Sequence, residues 1–437
     1  MTTLDRLPAR STSQADLVDR LRGVIPGGTT NSAVQPQGLE FIAERARGAE
    51  IFDVDGRRFL DFVMGGGPVI LGHAHPRMID TLKRAAELGT QHYVPHRRAI
   101  ELAERIVRLV PCAEMVRYTA SGTEATFHAL RLARAVTGRS GIVKFDGAYH
   151  GHHDLAVWSF EGSPSDHPRP TSESAGTQPG VADDIRVLPF NDPDALGRLF
   201  AAEPDRFAAV ICEPFQRALA PDPEFLRALR RECDRAGVIL IFDEVVTGFR
   251  FAPGGIQEKY GVVPDLAAFG KALAGGLPMG ALVGRRALME HLAPGSPRDT
   301  YSFHCGTFNG YLLGVEAAHT SLDILVDEGG IERLQKLTDA LRGRLQRVLT
   351  DAGVATQLSA EGGVFQIYFT DRPVRTAADV RATDRGMAAA FHAHLQEAGV
   401  YKLPPKGYLS LAHTLDDLDE FAAASAWAIR ASLDRPA

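Results

Sequence analysis

Residues 208–271 decide the fold: AAVIC (208–212), FLRALRRECDRAG (225–237), VILIFDE (238–244) and, further on, DLAAFGK (265–271). The apolar runs are too short for helices and end in polar residues, as buried strands do. The segment between the first two has helical period and stops at Gly237. Strand, helix, strand in this order predicts an α/β unit with a largely parallel sheet. The pattern extends upstream. VRYT (116–119) precedes a helix through residue 137, IVKF (142–145) precedes a loop, and AIELAERIVRLV (99–110) has helical period. In FIAERARGAEIFDVDGRRFLDF (41–62) two strand-like runs break at Asp55-Gly56, a hairpin signal. Past residue 320 the chain turns helical, then gives a strand at VFQIYF, a helix near 384–398 and a final strand and helix. The expected division is an N-terminal segment (1–65) packing with the small domain, a large domain (66–320) and a smaller α+β C-terminal domain (321–437). The Pro-, Gly- and Ser-rich stretch 161–184 is too polar for a core element.

The 437 residues carry 48 Lys+Arg and 54 Asp+Glu, a net charge of -6 that gives no bulk attraction for nucleic acid or an anionic membrane. The polar start and the lack of a long apolar run predict a soluble, cytoplasmic protein. Cys112, Cys212, Cys233 and Cys305 form no CxxC pair, and each reads as a small buried hydrophobe. Lysine occurs only at 83, 144, 259, 271, 336, 402 and 406, which leaves few candidates for amine chemistry.

Four features carry that chemistry. Asp243 and Glu244 end a buried strand, where an open α/β sheet places its ligand crevice; the ordinary alternative is a structural salt bridge. Lys271 follows an apolar run and precedes small residues and glycines, a setting that favours imine formation; the alternative is a lysine reaching solvent. Tyr118-Thr119-Ala120-Ser121-Gly122-Thr123-Glu124 lies at a strand-to-helix junction. Ser121 or Thr123 there either caps the helix or, with its free N–H groups, holds a phosphate. Tyr149-His150-Gly151-His152-His153-Asp154 invites a metal reading, but tetrahedral partners are lacking, and no metal is assigned; an aromatic ring stacking on a planar cofactor suits Tyr149 better. His73, His75, His392 and His394 read as structural. A lysine, a carboxylate, a phosphate cradle and a stacking ring together meet the needs of pyridoxal 5'-phosphate.

The chain resembles the class III aminotransferase family of fold-type I pyridoxal-phosphate enzymes over nearly its whole length. The matching segments are PGGTTNS (26–32), IFDVDGRRFLDF, GHAHP, SGTEAT, YHGHHD, CEPFQ, FDEVVTGFR, GGIQEKYGVVPDLAAFGKALAGGLPMGA, GTFNG and LSLAHT. It is nearest the glutamate-semialdehyde aminomutase and β-amino-acid aminotransferase subgroup. The resemblance implies a mostly parallel seven-stranded sheet and a homodimer with shared active sites. It implies a Schiff base on Lys271, Asp243 at the pyridine nitrogen, and Val245 and Tyr149 on the two ring faces. Ser121, Gly122 and Thr123 would hold the phosphate, Glu213 and His150 would lie against the cofactor, and Thr307 would reach the neighbouring subunit's phosphate. Ser32, Tyr93, Arg97 and Lys406 fall at substrate positions. The stretch 161–184 falls where the aminomutases carry a gating loop.

The chain departs from the aminomutase pattern at substrate positions. GGTTNSAVQPQ has no arginine near 33–35, Lys406 and its neighbours replace a glutamate-containing motif, and a β-amino-acid aminotransferase pattern has arginine at the place of Lys406. These residues imply transfer from an amine donor to a carbonyl acceptor other than glutamate semialdehyde, such as a β-keto acid or a polar sugar or cyclitol ketone. The alternatives are an aminomutase and a non-catalytic binding module on the same fold.

Overall fold

The computed structural model describes residues 13–31, 34–161, 166–404 and 406–434. Strands β1 (Ala43–Arg47), β2 (Glu50–Asp53) and β3 (Arg58–Asp61) form an antiparallel meander. The Asp55-Gly56 signal is its second turn. Gly56 sits at φ +84°, and the Asp53 carboxylate accepts the amides of Asp55 (3.0 Å) and Arg57 (2.8 Å).

The central sheet contains β4 (Met115–Thr119), β5 (Gly141–Phe145), β6 (Ile185–Leu188), β7 (Phe207–Cys212), β8 (Ile239–Asp243), β9 (Leu266–Phe269) and β10 (Gly280–Gly284). Their spatial order is β4-β10-β9-β8-β7-β5-β6. The run from β9 to β6 is parallel, and β10 lies antiparallel to both β9 and β4. Every residue of β5, β7, β8, β9 and β10 is buried, which explains why these strands read as unbroken apolar runs rather than alternating ones. Successive residues still serve opposite faces. Val143, Val210, Leu240, Phe242 and Ala267 belong to one apolar cluster; Ile142, Ala209, Ile211, Ile241 and Leu266 belong to another.

Helices cover both faces. The helix Pro223–Ala236 sends Phe225, Leu226, Leu229 and Cys233 into the first cluster. It starts at Asp222, whose side chain accepts the Glu224 amide, and stops at Gly237 in the left-handed conformation (φ +60°). The helix Gly122–Thr137 contributes Ala129, Leu130, Leu132 and Ala133 to the second cluster.

The remaining strands are β11 (Thr356–Glu361), β12 (Val364–Phe369), β13 (Val400–Tyr401) and β14 (Gly407–Tyr408). Gly362 and Gly363, both at positive φ, close the two-residue turn between β11 and β12, and β14 adds to β12. β13 pairs in parallel with β3, so the two ends of the chain share one sheet. A further bond from the Tyr408 amide to Phe62 O (2.7 Å) brings Tyr401, Leu403, Lys406 and Tyr408 over the carboxyl ends of the central strands. Cys112, Cys212 and Cys233 are buried as expected; Cys305 is not, because it lies in an exposed, irregular segment. No described helix is long and apolar enough to cross a membrane.

Candidate active site

The carboxyl ends of β7, β8 and β9 open into a cavity of about 730 Å³. Its wall includes Gly122, Thr123, Tyr149, His150, Glu213, Asp243, Val245, Lys271 and Lys406. Nine residues singled out from the sequence thus meet in one place.

Asp243 and Glu244 separate because neighbours on an extended chain face opposite ways. Glu244 turns away from the cavity. It accepts the Thr247 hydroxyl and the amides of Ile256 (3.0 Å) and Gln257 (3.1 Å). Asp243 faces the cavity. Its Oδ1 accepts the Val245 amide (3.1 Å), and its Oδ2 shares a 2.8 Å hydrogen bond with His150 Nδ1. Burial drives the Asp243 carboxyl up to about 7 and the His150 imidazole down to about 3. A buried carboxylate held by one backbone amide and a neutral imidazole, with no ion pair to Lys or Arg among the described residues, is undercompensated, and a cationic ring nitrogen supplies what is missing.

Lys271 follows β9 and Gly270, with φ +45°, an unusual conformation for a residue with a side chain. Among the described residues its amine has no hydrogen bond or ion pair, and burial lowers its pKa, which raises the fraction of neutral, nucleophilic amine. Glu213 follows β7 and accepts the amides of Tyr149 (2.7 Å) and Arg217 (3.3 Å), which fixes the Tyr149 segment. Beneath that segment, fully buried Lys144 donates to Ala148 O (3.0 Å), Ala156 O (3.2 Å) and Trp158 O.

The three residues expected to hold a phosphate divide between helix capping and cavity lining. Ser121 does not line the cavity. It is the N-cap of helix Gly122–Thr137, accepting the Glu124 amide at 3.2 Å, the plain structural role. Gly122 and Thr123 line the wall at the first turn, whose amides have no acceptors within the helix. A side chain on Gly122 would strike Val245 Cγ2 (2.7 Å), and one on Gly151 would strike Thr123 Oγ1 (2.7 Å). Glycine therefore lets the 122 and 151 backbones pack closely against Val245 and Thr123 at the cavity wall. His150 Nε2 is buried with no hydrogen-bond partner among the described residues. These features fit pyridoxal phosphate: a free lysine, an acid lacking a cation, a cradle built for close approach and a ring at Tyr149.

Other expected residues lie elsewhere. Thr307, Tyr93 and Arg97 do not line the cavity of their own chain. Thr307 is exposed, with its carbonyl bonded to Gln91, and Tyr93 is 75% exposed at φ +58°. Ser32 lies outside the described residues; its neighbour Asn31 lines the cavity. Sequence reasoning missed Arg217, which lines the wall four residues past Glu213, and Tyr408. It also read His73 as purely structural. His73 lines the cavity and pairs through Nε2 with buried Asp61 (2.8 Å). The Asp55-Gly56 turn signal placed β3, and with it Asp61, but not the cavity above.

A family model for class-III aminotransferases matches residues 32–413. The chain is 38% identical over 426 residues to a glutamate-1-semialdehyde 2,1-aminomutase of Thermomicrobium roseum, covering 93% of this chain and 95% of that protein. It superposes on an omega-transaminase from Sphaerobacter thermophilus with a TM-score of 0.90 at 36% identity, covering 99% and 100% of the two chains. It superposes on a transaminase with bound pyridoxal phosphate with a TM-score of 0.87 at 31% identity, covering 96% and 97%. The protein is a pyridoxal-phosphate-dependent enzyme of fold type I and belongs to the class-III aminotransferase family.

Proposed function

We propose that the enzyme is an aminotransferase, carrying an amino group from an amine donor to a separate carbonyl acceptor. The observation that carries this reading is the convergence of unpaired Lys271 and buried Asp243 in one cavity beside the first turn of helix Gly122–Thr137. When bound, pyridoxal phosphate supplies an electron sink that acidifies the C–H bond next to the amino nitrogen. Lys271 Nζ would hold the cofactor, and its amine would carry the proton to and from that carbon. Asp243 holds the proton on the ring nitrogen, and His150 fixes the carboxylate through its 2.8 Å bond. Tyr149 and Val245 would flank the ring, Glu213 and His150 would lie against it, and Gly122 and Thr123 would take the phosphate, with Ser121 holding the helix start. Thr307 reaches the phosphate in the partner subunit of a homodimer. Its exposed position near Phe303 (58% exposed) and Phe308 (55% exposed) supports that arrangement. Tyr93 and Arg97 belong to the substrate entrance. Lys406, whose amine burial lowers to about 8, faces the substrate.

The second reading is an aminomutase, favoured by the name of the Thermomicrobium roseum relative. The lack of an arginine near residues 33–35 and the presence of Lys406 favour transfer. Single-turnover kinetics separates the two. With an amine donor alone, a transferase releases one equivalent of carbonyl product per site, then stops until an acceptor is added. Sustained isomerisation of one compound with no second substrate identifies a mutase.

A further inference from the structure

Past β7 the chain reverses sharply. The Gln216 amide donates to Leu219 O (3.1 Å) and the Leu219 amide to Gln216 O (2.7 Å), leaving Arg217 and Ala218 as the two central residues. Arg217 has φ +59°. That position of a two-residue turn is one that glycine fills without strain, so the arginine is held there against its backbone preference. Residues so held cluster where the side chain has work that glycine cannot do.

The side chain lies half-buried on the cavity wall. Its Nε donates to Gly147 O (3.1 Å) and its Nη2 to Phe160 O (3.0 Å), and its guanidinium carbon sits 5.4 Å from the Tyr149 ring centre. Both acceptors are neutral carbonyls, and Nη1 has no hydrogen bond among the described residues. Glu213 is occupied by the amides of Tyr149 and of Arg217 itself. Beside it, Lys406 Nζ lies 3.4 Å from the Arg217 carbonyl and 5.6 Å from the Tyr408 ring centre. Among the described residues no carboxylate comes within 4.0 Å of either cation. Of the four carboxylates lining the cavity, three have other partners: Asp243 with His150, Asp61 with His73, Glu213 with two amides; the fourth, Glu161, is exposed and makes no ion pair with Arg217 or Lys406 among the described residues. Neither cation has an ion-pair partner among the described residues, and a carboxylate arriving from outside supplies one. The cofactor's phosphate is assigned to a different element, the start of helix Gly122–Thr137, so this anion is a second one.

We propose that Arg217 is the specificity-determining residue that receives the carboxylate of the substrate, with Lys406 beside it, so that the enzyme selects amino and keto acids over neutral amines and ketones. A guanidinium whose outer edge is free offers the two parallel N–H groups that a carboxylate accepts. This deepens the aminotransferase reading and rests on it for the nature of the ligand; the pair of unneutralised cations stands apart from it.

The test measures binding to the holoenzyme without turnover, by calorimetry, using 3-phenylpropanoate and its neutral amide. The wild type should bind the carboxylate at least about tenfold tighter than the amide, the effect of a charge-assisted hydrogen bond. Arg217→Gly removes the cation and relaxes the turn, so it should fold, keep its visible cofactor absorbance and lose that preference. Arg217→Lys, which keeps the charge but not the fork, should keep a reduced preference. If the wild type shows no preference, or if Arg217→Gly retains it, the proposal is overturned. Equal weakening of both ligands would assign Arg217 to holding Gly147 and Phe160 in place and would also overturn it. Failure of the aminotransferase reading would show instead as a cofactor band that no amine donor bleaches, with the carboxylate preference intact.

Discussion

Replacing Asp243 with asparagine should do opposite things to the cofactor-free and cofactor-bound protein. In the empty protein burial holds the Asp243 carboxyl at about 7, against an ordinary 3.8. A carboxyl raised in this way binds its proton more tightly in the folded state. Its contribution to stability is full below about 3.8 and is lost as the pH rises through about 7. At about 1.4 kcal/mol per pH unit, the cost at pH 8 has an upper bound of roughly 4 kcal/mol. Asp243→Asn removes that cost but keeps the shape. Spread over an unfolding entropy of ~2 cal/mol/K per residue, the upper bound corresponds to roughly 5 °C in the thermal midpoint. The cofactor-free variant should therefore melt higher than the cofactor-free wild type at pH 8, with the gap closing at pH 4.5. Added pyridoxal phosphate should reverse the order, because a protonated ring nitrogen neutralises the aspartate and not the asparagine. Differential scanning fluorimetry at the two pH values, with and without cofactor, measures all four terms. A variant less stable than wild type in all four conditions would refute the claim that Asp243 is a carboxylate waiting for a cation.

Three further outcomes follow from the site. Lys144→Met should lower stability by about 2–4 kcal/mol, since it strands three buried carbonyls that Lys144 now satisfies, and urea titration checks it. Mixing inactive Lys271→Ala with a Thr307→Ala variant should restore part of the activity through one complete site per hybrid dimer; an active monomer in sedimentation would exclude the shared site. Lys406→Met should weaken acidic substrates by roughly 1–3 kcal/mol while barely changing the binding of neutral amines, read from steady-state KM values.

The sheet was legible because β5, β7, β8 and β9 are buried on both faces and hence continuous in apolarity. β10 was not read as a strand. Its Gly280–Gly284 run has glycine at both ends, and its place between β4 and β9 is set by packing: a side chain at Gly284 would strike Leu266 Cδ2 at 2.4 Å. Lys271 and Asp243 stood out because each lies at the carboxyl end of a strand, where such sheets bind ligands. The partners of these residues were hidden. His150 was one histidine in a cluster, and nothing in the spacing says that its ring, 93 positions before Asp243, would meet that carboxylate. Arg217 was hidden for another reason: a left-handed backbone at an arginine leaves no mark in the sequence. Ser121 was legible in both its possible roles, and side-chain geometry alone separates capping from cavity lining.

The central claim is that Lys271 is the residue that bonds the cofactor. Three other lysines compete on burial, since Lys144 and Lys402 are fully enclosed and Lys406 lines the same cavity. Borohydride reduction of the holoenzyme, followed by proteolysis and mass spectrometry, fixes the attachment covalently. The account predicts a pyridoxyl group on the peptide containing residue 271, and none on Lys271→Ala; a label on Lys406, Lys144 or Lys402 in the wild type would contradict it.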